Sequence, residues 1–180
     1  MDSIEYPLNS DQKLVIREAL EKDAAVLLEF VNQVGGESDY LSFGAGEFNV
    51  SISDEQKFLN KCHSSKNQLF ILGFIEDQIV ATLHFGAGER PRIQHAGEFG
   101  MSTAKKHWNL GIGSYMIDVL INWAKESEMI KKINLRVRTD NTRAIHLYLR
   151  KGFKQEGLLR KEVYLNGTYY DYYWMGFVLD

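Results

Sequence analysis

The chain has 180 residues, 44% of them apolar and 12% aromatic, with 21 Lys+Arg against 24 Asp+Glu and a formal charge of −3. That length is enough to bury a sizeable core, and the balanced charge excludes a basic footprint for gripping a nucleic-acid backbone. Two prolines, ordinary glycine content and mixed charges exclude disordered and collagen-like chains, and the single Cys62 excludes both an intramolecular disulfide and a Cys-rich zinc cluster.

Lys13–Glu18 alternates apolar and polar residues and predicts a strand, followed by a helix over Glu21–Val34, where Ala25, Leu28 and Val31 recur at helical spacing. Gly35–Val50 has the glycine-rich composition of a loop that suits a pocket wall. Ser53 with Gln56 three positions on forms a capping-box pattern for a short helix to about Cys62. Gln68–Glu76 and Ile79–Phe85 predict a hairpin around Glu76-Asp77-Gln78, and Gly86–Arg92 a loop. Gln94–Thr103 is a strand interrupted by Gly97 and Gly100, which suggest a bulge or a close backbone approach. A helix follows from Ile112 to Ser127 with an apolar stripe of Tyr115, Met116, Val119, Leu120 and Trp123. Ile133–Arg138 alternates as a strand, and Asn141–Lys151 is helical by pattern, with Gly152 at the left-handed cap position. Phe153–Tyr164 and Thr168–Leu179 flank Asn166-Gly167, a two-residue hairpin signal. No repeat or linker divides the chain, so residues 1–180 are expected to form a single domain. The longest apolar stretch, near Phe70–Ile75, is too short to span a bilayer, and a soluble, cytoplasmic protein is expected.

Two stretches carry chemistry. Trp108-Asn109-Leu110-Gly111-Ile112-Gly113 lies between a strand and a long helix, where side-chain-free positions let backbone N–H groups converge on an anion at the helix N-terminus. A phosphate or pyrophosphate fits there, although the same glycines also serve a turn that needs φ > 0. Met116 stands where a dinucleotide fingerprint has its third glycine, which disfavours a Rossmann site. In the second stretch, Asn141 and Tyr148 fall on one helix face about 10 Å apart along the axis, within reach of one extended ligand. Taken singly, Asn141 reads as a helix cap and Tyr148 as a core aromatic.

In this order and separation the two segments resemble the GCN5-related N-acetyltransferase (GNAT) family, most sharply in Glu98–Gly113 and Asn141–Phe153. The resemblance implies an α/β fold: a mixed, mostly antiparallel sheet of six or seven strands flanked by about four helices. The sheet is splayed between its fourth strand, Gln94–Thr103, and its fifth, Ile133–Arg138, with acetyl-CoA in the opening. Carried over by residue, the backbone of Trp108, Asn109, Leu110, Gly111, Ile112, Gly113 and Ser114 would bind pyrophosphate. Met101, Ser102 and Thr103 would hydrogen-bond the pantetheine arm, Asn141 would contact that arm or the thioester end, and Tyr148 would stand near the sulfur. The family's commonest loop begins with Gln or Arg where this chain has Trp108, which removes one side-chain contact to phosphate.

On this reading Glu98 is the candidate base, directly or through water, because a lysine-like amine with a pKa of about 10.4 must lose a proton before it attacks. An amide N–H, at Met101, would stabilise the oxyanion, and Tyr148 would protonate the leaving thiolate. The expected activity is direct acetyl transfer in a ternary complex to a primary amine of a small molecule or peptide. The last third of the chain looks like the subfamilies acting on ribosomal-protein N-termini and on spermidine. The alternative is a non-catalytic acyl-CoA sensor or interaction module. A homodimer through the C-terminal strands is a family-based expectation, and no nucleic-acid or membrane partner is expected. The five histidines lack metal-site spacing and read as surface or locally hydrogen-bonded residues, so no metal is assigned. Cys62 reads as a packing residue, and Arg136 and Arg138 as exposed or ion-paired. The rings of the Tyr169–Trp174 run are expected chiefly in core and dimer packing, with a cationic acceptor held by ring faces and by loop acids such as Asp39 or Glu47 as the lesser reading.

Overall fold

Residues 2–8 and 12–180 are described by a computed structural model. The elements in chain order are β1 (Ile4–Pro7), β2 (Lys13–Glu18), α1 (Ala24–Gly35), α2 (Ile52–Ser64), β3 (Gln68–Ile75), β4 (Gln78–Ala87), β5 (Ala96–Thr103), α3 (Ile112–Glu126), β6 (Lys132–Arg138), α4 (Thr142–Arg150), β7 (Lys154–Leu165) and β8 (Thr168–Val178). Among the described residues, eight strands make one sheet in the order β1-β2-β3-β4-β5-β6-β8-β7, in which only β5 and β6 run parallel.

The sheet has one strand more than the expected upper count, because β1 is too short for alternation to reveal. Its Tyr6 stacks on Tyr115 of α3, with ring centroids 4.3 Å apart. The helix expected from Glu21 begins as a 3-10 turn, Glu21–Asp23. The Asp23 carboxylate there accepts both Arg17 guanidinium N–H groups at 2.7 and 2.8 Å and the Leu20 N–H at 2.8 Å, which fixes the corner between β2 and α1. The capping residue of α2 is Ser51, not Ser53: the Ser51 hydroxyl accepts the Asp54 N–H at 3.1 Å and donates to the Asp54 carboxylate at 2.7 Å.

Both expected hairpins form, the one around Glu76-Asp77-Gln78 with a tighter, two-residue turn because Gln78 already begins β4. Glu76 and Asp77 take φ of 49° and 63°, and Asn166 and Gly167 take 50° and 83°, the left-handed pair whose twist matches the flanking strands. The α3 stripe buries Met116, Val119 and Leu120 against Leu83, Phe85, Ile133 and Leu135 on one face of the sheet. On the other face Leu27 of α1 and Leu59 of α2 cover Leu72. Each such side chain contributes about 1.5–3 kcal/mol by leaving water.

Gly97 marks a close approach and not a bulge. The β4–β5 register runs without a shift, and a Cβ at Gly97 would lie 2.5 Å from both the Gly86 carbonyl oxygen and the Phe85 ring. The parallel ladder between β5 and β6 holds only three residue pairs, Ala96 with Lys132, Gly97 with Ile133 and Glu98 with Asn134, and the strands then part. At the parting point the Asn134 amide donates to the Gly97 carbonyl at 3.1 Å. Among the described residues, no helix is long and apolar enough to cross a membrane.

Candidate active site at the fork of the sheet

Where β5 and β6 diverge, a cavity of about 1050 Å³ opens, lined by the end of β5, the start of α3, α4, β6 and the segment that joins α1 to α2. The ladder geometry fixes which main-chain groups of β5 are available. Ala104 donates to Val80 and Gly88 to Ala96, so the even-numbered β5 residues face β4, while Phe99, Met101 and Thr103 turn their N–H and C=O away from it. The Thr103 carbonyl accepts the Trp108 indole N–H at 2.8 Å. Ser102 departs from the sequence expectation: its main chain faces β4 and its hydroxyl shares a 2.9 Å hydrogen bond with Thr82.

Asn109 and Gly111 take positive φ, 68° and 81°, and turn the loop into α3. Gly111 caps the helix without any side-chain hydrogen bond, and the first N–H groups bonded back to it are those of Ser114 and Tyr115. The N–H groups of Ile112 and Gly113 are therefore left for an anion at the positive end of the helix. A Cβ on Gly113 would press on Leu147 and Met101 at 3.2 Å, so glycine lets α3, β5 and α4 meet here. Leu110, which is exposed, is the one expected loop residue that does not line the cavity. Trp108 carries the Arg143 guanidinium on its ring at 3.9 Å, which brings a cation from α4 to the loop that lacks a basic residue at position 108.

Asn141 caps α4, its side-chain oxygen accepting the Ala144 N–H at 3.2 Å, and it also lines the cavity. Tyr148, two turns on, is 8% exposed, packed edge-on to Phe99 and Phe153 with centroids 5.9 and 6.0 Å away. Among the described residues no group hydrogen-bonds its hydroxyl, and burial pushes its pKa up to about 12.

Glu98 lines the same cavity, but its carboxylate accepts the Arg136 Nε–H at 2.7 Å and is a third exposed. Arg136 also faces Glu162 at 3.8 Å. Arg138 is buried, forked onto Asp140 at 2.6 and 3.0 Å, and donates at 2.6 Å to the Asp39 carbonyl, with Tyr170 and Tyr40 rings against it. Both strand arginines are thus ion-paired. Arg138 also fastens the glycine-rich segment to the cavity rim.

The acceptor side differs from expectation. Asp39 and Glu47 do not line the cavity; Glu47 closes its own loop by accepting the Gly44 N–H at 2.8 Å. The acid that does line it there is Glu55 of α2, beside Phe58, Phe70 and His84. His84 is no surface residue: its Nε2 is buried without a hydrogen-bond partner, and burial lowers its pKa. The sequence holds one weak pointer to this wall, since His84 stands in a strand whose residues from Ile79 to Phe85 are otherwise apolar except for Thr82. Cys62 packs as expected, buried against Gln68, with its thiol pushed up to about 11 by burial.

The model of the acetyltransferase (GNAT) family matches residues 38–153, and the chain belongs to that family. The L-amino acid N-acetyltransferase AaaT of Escherichia coli is 32% identical over 109 residues, which span 58% of this chain and 65% of that protein. The spermidine N(1)-acetyltransferase of Vibrio cholerae is 25% identical over 145 residues, 80% of this chain and 83% of that one. Among solved structures, an acetyltransferase of the GNAT family from Streptococcus pneumoniae superposes with a TM-score of 0.90 at 36% identity, covering 92% of this chain and 99% of its own. The fold is shared with yncA of Salmonella typhimurium, solved with its cofactor acetyl-CoA, at a TM-score of 0.80 and 16% identity over 93% of this chain and 94% of that one.

Proposed function

We propose that the protein is an N-acetyltransferase, folded as one domain, that moves an acetyl group from acetyl-CoA to a primary amine in a single ternary complex. The observation that carries this reading is the fork itself: β5 and β6 separate after three pairs, and a buried phenol without a protein partner stands at the opening. Acetyl-CoA supplies a thioester carbonyl that an amine can attack. The N–H groups of Ile112 and Gly113 hold its pyrophosphate, with the loop backbone from Trp108 to Ser114 around them and Arg143 adding a positive charge. Met101 and Thr103 offer main-chain groups to the pantetheine arm much as a neighbouring strand would, and the free amide N–H groups of Asn141 reach the same arm.

Glu98 takes the amine proton through water, held on the cavity wall by Arg136. The Met101 N–H, aimed into the fork, donates to the developing oxyanion. Tyr148 keeps its proton throughout the working pH range and gives it to the departing thiolate, whose conjugate acid has a pKa of about 8.5. Two copies pairing along the open edge of β7, where Leu158 and Tyr164 are exposed, is the assembly we expect; elution at monomer size at all concentrations would refute it.

The test is thiol release from acetyl-CoA across a panel of primary amines. Release that requires both an amine and Tyr148 supports the reading. Coenzyme binding without amine-dependent release overturns it in favour of a sensor.

A further inference from the structure

Glu55 sits in the first turn of α2, 5% exposed, and lines the acceptor side of the cavity. Among the described residues no donor or cation meets its carboxylate, and burial raises its pKa. A buried carboxylate is almost always paired. Among the described residues, Arg136 pairs with Glu98, Arg138 with Asp140, Lys57 with Asp54 and Lys61 with Glu89, so none of these cations serves Glu55.

The surroundings are aromatic. Phe58 lies one turn beyond Glu55 on the same helix face, edge-on to His84 at 5.1 Å and to Phe70 at 6.1 Å. His84 faces Gly100 across the β4–β5 ladder, and a Cβ on Gly100 would touch nothing within 4 Å. Open space therefore runs from the Glu55 wall to the β5 strand beside which the thioester is proposed to lie. A lone carboxylate beside ring faces is the chemistry that recognises an organic ammonium, its charge on the acid and its methylenes on the rings.

We propose that Glu55, with the rings of Phe58 and Phe70, receives a second cationic nitrogen of the acceptor, so that the protein selects amines carrying two positive charges over monoamines of the same length. Which nitrogen is acetylated rests on the acetyltransferase reading; the cation subsite does not.

The experiment compares 1,4-diaminobutane with 1-aminobutane by calorimetric binding to the coenzyme A-bound protein, and in parallel by thiol release from acetyl-CoA. The diamine should bind at least about tenfold more tightly to the unaltered protein, and the ratio should collapse to about twofold or less in Glu55→Gln. Equal binding of the two amines to the unaltered protein overturns the proposal without any variant, as does a preference that survives in Glu55→Gln. If the diamine preference depends on Glu55 but no amine elicits thiol release, the subsite stands and the catalytic reading falls.

Discussion

Tyr148 and Glu55 are both buried polar side chains without partners, and the two make opposite demands on the fold. The Tyr148 hydroxyl costs little to remove because no described residue bonds to it, so Tyr148→Phe should leave the thermal midpoint and acetyl-CoA affinity nearly unchanged while turnover falls by about a hundredfold or more. Steady-state kinetics alongside calorimetric coenzyme binding reads both quantities; unaltered turnover removes the phenol from the mechanism. Glu55 has a folded-state pKa above its unfolded value, so the folded state favours its protonated form and loses stability as the pH rises through that raised pKa. Glu55→Gln should therefore melt higher than the unaltered protein at neutral pH, with the gap closing as the pH falls below the unfolded carboxyl's pKa of about 4.3, where the group becomes protonated in both states. Cys62, with its thiol pushed up to about 11, should resist iodoacetamide at neutral pH in the native protein and react readily in urea, as mass spectrometry would show.

At the scale of elements, the strands and helices with strong local patterns were legible in the sequence: Asn166-Gly167 and Glu76-Asp77 define their hairpins through two residues each, and α3 through its stripe. The start of α2 is read from the sequence at Ser53, three residues before Gln56, whereas the structure caps it at Ser51, three residues before Asp54, because the extended backbone turns into the helix there. The proposed cofactor side could be read from the sequence because its loop and α4 motifs are contiguous. The proposed acceptor side could not, because Glu55, Phe70 and His84 come from three elements that meet only after the sheet has formed. The two glycines of β5 illustrate the same limit, since they look alike in sequence and differ in surroundings. Gly97→Ala should destabilise the fold by about 1–3 kcal/mol, because its Cβ would strike the Gly86 carbonyl and the Phe85 ring. Gly100→Ala should leave denaturant stability close to that of the unaltered chain and raise the acceptor KM instead. Equal destabilisation by both would refute the distinction.

Across the whole molecule, the Met101 and Thr103 N–H groups, past the last β5–β6 pair, and the Ile112 and Gly113 N–H groups at the uncapped start of α3 have no acceptor among the described residues. Amide hydrogen exchange should report this directly: the Met101, Ile112 and Gly113 N–H groups should exchange rapidly in the free protein and slow by about tenfold or more when acetyl-CoA is added, while core amides of β3 and β4 change little. Slow exchange at Met101 before any ligand is added would contradict the ladder parity derived above. The eight strands are in effect two panels, β1 to β5 and β6 to β8, stitched edge to edge by a short seam and the Asn134 amide. The proposed co-substrate, lying in the gap, would complete the hydrogen bonding of one panel along its bare margin. The angle between the panels then sets the width of the mouth through which an amine enters, so substitutions at the seam, far from any reacting atom, should alter the size of amine accepted.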